Sequence, residues 1–85
     1  MRVVVVYKQE SDHGRAVSDY LRDFERVTGR QLETMDPEQR GSAGFCETYD
    51  IVEYPTVVAL DNSGQLQNMW RGLPLPTINE VEYYA

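Results

Sequence analysis

The chain opens on a run with no polar face: Val3, Val4, Val5 and Val6, closed by Tyr7. An uninterrupted β-branched run predicts a strand over Val3 to Tyr7 buried on both sides, inside a sheet covered by helices. Lys8, Gln9 and Glu10 follow as a polar exit loop. The period then changes. Ala16, Val17, Tyr20, Leu21, Phe24 and Val27 recur at helical spacing and form a single apolar stripe. Arg15, Asp19, Arg22, Asp23 and Arg26 fall largely on the other side, with two acid–base pairs at i,i+3. Ser11 or Asp12 is the expected N-cap of this helix and Gly29 its stop.

Leu32 and Met35 alternate with polar residues between Gln31 and Asp36, which predicts a second strand. Pro37 suits the first turn of a second helix, with Asp36 as its cap and Glu38 near the positive end of its dipole. Gly41, Ser42 and Gly44 weaken the start of that helix, and Phe45, Cys46, Tyr49 and Ile51 are its candidate buried face. Thr56 to Leu60 is another β-rich run. Asp61-Asn62-Ser63-Gly64 is a turn, and Gln65 to Arg71 returns as the second arm of a hairpin. Pro76 is placed to start a short last helix through Ile78, Val81 and Tyr84. The expected order is β-α-β-α-β-β-α. This is an α/β fold with a central mixed four-stranded sheet and helices on both faces. At 85 residues the expectation is a single domain, residues 1–85.

Charge and composition narrow the function. The net charge of -6 argues against a clustered cationic surface for phosphate backbones or for anionic lipid, so neither nucleic acid nor membrane is an expected partner. The apolar run at the start is too short for a signal-peptide core or a membrane span, and a cytoplasmic protein is the default expectation. The single cysteine, Cys46, rules out an intrachain disulfide and a multi-cysteine zinc site. No metal and no cofactor are expected.

The segment Tyr49-Asp50-Ile51-Val52-Glu53-Tyr54-Pro55-Thr56, the apolar strand after it, the turn at Gly64 and the later Gly72 resemble the second half of thioredoxin. The opening strand, loop and helix look more like glutaredoxin. The resemblance covers the element order of the whole chain and implies a thioredoxin-like fold. It also implies a cis bond before Pro55, with Tyr54, Pro55 and Thr56 forming a loop where Tyr54 offers its backbone to an extended peptide. In that family two cysteines sit at the N-terminus of the first long helix, where helix-end N–H groups stabilise a thiolate. The matching loop here is Gln9 to Arg15, with Ser11 and Gly14, within one residue, where the cysteines would be and Asp12 and His13 between them. A serine hydroxyl cannot perform thiol–disulfide exchange, so dithiol oxidoreductase activity is not expected.

Other candidates carry less. Ser11, Asp12 and His13 have the residue types of a hydrolytic triad, but adjacent positions at a helix start do not give its geometry. Gly41, Ser42 and Gly44 lack the lysine and the strand context of a phosphate loop. A lone histidine in a loop is ordinarily solvated, and Asp12 beside His13 offers it a simple partner. Trp70 is expected in the core rather than beside Tyr54. Cys46 reads as a small buried hydrophobe, with a reactive thiol as the competing reading. The expectation is therefore a monomeric module that binds a protein or peptide through Tyr54, Pro55 and Thr56. The alternative is a single-cysteine, glutaredoxin-like thiol-redox enzyme using Cys46.

Overall fold

The structure is a computed structural model that describes residues 1–85. In chain order the elements are β1 (Arg2–Val6), α1 (Gly14–Thr28), β2 (Glu33–Met35), α2 (Ser42–Thr48), β3 (Thr56–Leu60), β4 (Leu66–Arg71) and α3 (Ile78–Glu82). The strands form one sheet in the order β2-β1-β3-β4. β1 runs parallel to β2 and antiparallel to β3, and β3 runs antiparallel to β4. A parallel pair needs a crossover, which α1 supplies; the antiparallel β3–β4 pair needs only the turn at Asp61 to Gly64. The expected mixed four-stranded α/β fold is the observed one.

The two central strands explain why the apolar runs are unbroken. Alternate residues of a strand face opposite sides of the sheet. Val3, Val5, Val57 and Ala59 face one side, where Val17 and Phe24 of α1 and Val81 of α3 meet them. Val4, Val6, Val58 and Leu60 face the other, where Ile51 joins them and Phe45 and Cys46 of α2 pack alongside. Each fully buried valine contributes roughly 1.5 kcal/mol or more of transfer free energy.

The helices show where local signals compete. Within α1 only the middle of the apolar stripe is used: Val17 and Phe24 are buried, Tyr20 and Leu21 half-buried, while Ala16 and Val27 at its margins are exposed. Gly29 ends α1 in a left-handed conformation with φ of 74°, and Arg22 and Arg26 pair with Asp19 and Asp23 as spaced. The N-cap is a correction. His13 occupies it without a side-chain cap bond, because the Ser11 hydroxyl is spent on the Lys8 carbonyl. The start of α2 is another. Asp36 caps a turn, accepting the Glu38 N–H at 2.9 Å, and Gly41 at φ 90° interrupts the path, so the helix begins at Ser42 and not at Pro37. Pro76 stands outside α3, which is opened by a capping box between Thr77 and Glu80. Those bonds from Thr77 hold the Glu80 carboxyl below the usual carboxylate range.

None of the helices is long and apolar enough to cross a membrane. Trp70 is half-buried against the α1/α3 side, its ring edge-on to Tyr84 at 5.7 Å. On the same side the Tyr20 hydroxyl is buried without a hydrogen-bond partner among the protein's groups. Burial, with a smaller contribution from the Glu80 charge, pushes its phenol up to about 12. Removing an unsatisfied buried hydroxyl relieves its desolvation cost. Tyr20→Phe is expected to leave stability unchanged or raise it by up to ~1 kcal/mol in urea unfolding, and to remove the last-titrating tyrosine from an absorbance titration near pH 12. A loss of more than that in stability would mean the hydroxyl has a partner after all.

Candidate functional site

The register of the two central strands sets the site. Val6 pairs with Thr56, so the chain leaves β1 beside the place where it enters β3. Two loops meet there: Lys8 to His13 before α1, and Glu53 to Pro55 before β3.

Lys8 joins them. Its N–H donates to Nε2 of His13 at 3.1 Å, and its carbonyl accepts the Ser11 hydroxyl at 2.5 Å. Its ammonium lies 5.3 Å from the centre of the Tyr54 ring and 3.5 Å from Oε1 of Glu38. The first contact is a cation–π pair and the second an exposed ion pair. Sequence reading had passed Lys8 over as part of a polar loop; a cation immediately after the buried strand was the only signal it carried. In this bond Nε2 of His13 is the acceptor. His13 does not pair with Asp12, which is exposed.

The loop before α1 is closed on itself. The Gly14 N–H donates to the Ser11 carbonyl at 3.2 Å, and the Val17 N–H to the His13 carbonyl at 3.1 Å. Gly14 is buried, and a Cβ there would collide with the backbone carbonyl of Gln9. No side chain, sulfur-bearing or otherwise, fits at that position while the loop keeps this path. An open depression of about 400 Å³ lies beside it, lined by Tyr7, Gln9, Gly14, Arg15 and Ser18.

The facing loop holds Tyr54, Pro55 and Thr56. The Tyr54–Pro55 bond is cis, as is Leu73–Pro74, for which the sequence offered no sign. Pro55 and Thr56 are buried; Tyr54 is half-buried. The Pro55 carbonyl accepts the Gly72 N–H at 2.7 Å, and the Thr56 hydroxyl donates to the Glu53 carbonyl at 2.5 Å. By contrast, neither the N–H nor the C=O of Tyr54 has a hydrogen-bond partner within the chain. A backbone pair left open within the chain is free to bond water or another chain.

Cys46 belongs to a neighbouring groove and not to the α1 loop. It is partly buried, two residues from the end of α2, where the helix dipole disfavours a thiolate. Burial pushes its thiol up from the ordinary value. The groove, about 370 Å³, also brings Pro37, Val52 and Tyr54 together. Trp70 lies with the opposite core cluster from Tyr54, so the two aromatics do not share a surface. Tyr49 is occupied elsewhere, donating its hydroxyl to the Gly64 carbonyl at 2.6 Å. No three acidic, histidine or cysteine side chains converge as metal ligands.

No protein-family model matches the chain, and no curated protein matches it in sequence. Solved structures do match in shape. Thioredoxin 1 from Thermosipho africanus superposes with a TM-score of 0.68 at 14% identity, over 99% of this chain and 89% of that one. A designed protein superposes with a TM-score of 0.63 at 19% identity, over 98% of this chain and 70% of that one. The fold is thioredoxin-like.

Two outcomes follow from this geometry. Gly14→Ala forces the Gln9 carbonyl aside and is expected to cost about 1–3 kcal/mol in stability, with amide shifts confined to Lys8 through Val17; an unperturbed loop would show that the close approach is not present in solution. Cys46 is expected to react with a thiol reagent at pH 7 far more slowly than after denaturation, and to speed up only as the pH rises past the ordinary thiol range. Native labelling as fast as the denatured chain would reject the packed, protonated thiol.

Proposed function

We propose that this chain is a thioredoxin-fold binding module without dithiol redox activity, whose partner is an extended protein or peptide segment paired to the backbone of Tyr54. The observation that carries this reading is the open N–H and C=O of Tyr54, placed next to Pro55 and Thr56, whose own polar groups are satisfied. Main-chain pairing supplies affinity with little demand on the partner's sequence. The reading takes residues 1–85 as one domain acting as a monomer in the cytoplasm. The Ser11 to Gly14 loop serves it as a wall, since the Ser11 hydroxyl, the Gly14 N–H and Nε2 of His13 are engaged within the loop.

The competing redox use of Cys46 has less behind it, because burial and the end of α2 both favour the thiol over the thiolate. The test is an amide chemical-shift titration with short extended peptides, run beside a disulfide-reduction assay. Expected are shifts at Glu53 to Thr56 and in the Lys8 to Gly14 loop, loss of binding when the peptide's pairing amide is N-methylated, and no reductase activity above background. Shifts scattered over the surface, or binding indifferent to N-methylation, would remove the strand-pairing reading. Turnover that disappears in Cys46→Ser would favour the redox one.

A further inference from the structure

The groove beside Tyr54 has both apolar side chains and carboxylates in its lining. Pro37, Ala43, Cys46 and Val52 line it, and Tyr54 closes one end. Val52 is 74% exposed. Glu47 and Asp50 supply the carboxylates. Neither is in a salt bridge, and the Lys8 ammonium over the Tyr54 ring is already paired with Glu38. Glu53, next to Tyr54, is also unpaired, and its carboxylate lies over Gly72.

This charge is not an average property of the surface. Between Arg40 and Arg71 the sequence carries Glu47, Asp50, Glu53 and Asp61 and no lysine or arginine. The α1 face, in contrast, mixes both signs and pairs them. Of these carboxylates, Glu47 and Asp50 line the groove that includes Tyr54. Tyr54 belongs both to the open backbone pair and to the groove lining, so a peptide paired there would start beside the groove.

Resting on the strand-pairing reading above, we propose that the groove is a selectivity pocket for a cationic extended peptide, one that inserts an apolar side chain and sets lysine or arginine on either side of it. The apolar side chains of the lining exclude water from the inserted side chain. The carboxylates attract the flanking cations and repel an acidic competitor, so they act on specificity and association rate.

The test uses two blocked hexapeptides with the same central leucines, one flanked by lysines and one by glutamates, titrated against the full chain with amide shifts as the readout. The lysine peptide is expected to bind at least about tenfold more tightly at low salt, with the advantage shrinking as salt is added. Bound peptide is expected to shield Cys46 from a thiol reagent. In Glu47→Gln/Asp50→Asn the advantage is expected to collapse; asparagine is chosen because Asp50 has a φ of 55°, which asparagine tolerates. Ala43→Phe, on the exposed side of α2, fills the groove and is expected to weaken both peptides. Equal binding of the two peptides to the unaltered chain, or a preference that survives the charge-removing variant, overturns the cationic pocket. Shifts at Tyr54 and Thr56 in that case would leave strand pairing standing. Failure of both peptides to move the Tyr54 amide overturns the strand-pairing reading and the pocket with it.

Discussion

The antiparallel pairing of β1 with β3 is the constraint from which the rest of this structure follows. Its register runs from Arg2 opposite Leu60 to Val6 opposite Thr56. Val3 to Val6 and Thr56 to Leu60 are buried on both sheet faces. A slip of one residue would exchange the two faces of β1 and separate each side chain from its cluster. The register is thereby held by packing on both sides at once. It also fixes the ends of the strands. Lys8 leaves β1 where Tyr54 and Pro55 enter β3, so the site is a geometric consequence of the core.

This dependence explains what could be read in the chain beforehand. Patterns that act locally were legible: the valine run of β1, the stripe from Val17 to Phe24, Gly29 as a stop, and the Asp61 to Gly64 turn. Each of these states its structure within a few residues. The errors fall where a side chain had two possible partners. Ser11 is a good helix cap by type, yet its hydroxyl bonds the Lys8 carbonyl three residues back. Asp36 is a good cap as well, and it caps a turn because Gly41 diverts the chain. Thr77 and Glu80 did carry a capping-box spacing, and the nearby Pro76 drew the reading one residue away from it.

The site was half legible for a related reason. Tyr54, Pro55 and Thr56 were found through a resemblance in a continuous segment. Lys8 and the groove were not, because their meaning arises across the sheet. Lys8 contacts Glu38 from the loop after β2 and Tyr54 from the loop before β3, which are far apart in sequence. The groove joins Pro37 to α2 and to Val52. No periodicity or spacing relates such residues; only the crossover topology does.

The loop from Gln9 to Arg15 is defined by the contacts that fill it. Gly14 has the Gln9 carbonyl where its side chain would be, and Ser11 and His13 are bonded to the two polar groups of the Lys8 backbone. The Ser11 hydroxyl and Nε2 of His13 are engaged within the loop, while Asp12 is exposed. The same accounting at the facing loop leaves the Tyr54 backbone open. A partner gripped by one residue's main chain and one groove of about 370 Å³ buries far less than the roughly 1,600 Å² of a standard stable complex. Such contacts exchange quickly, and their selectivity has to come from complementarity rather than area. On the proposed reading, the unpaired carboxylates at Glu47 and Asp50 are where that complementarity resides. They cost little in the free chain, where water solvates them, and they act when a cation arrives beside the groove.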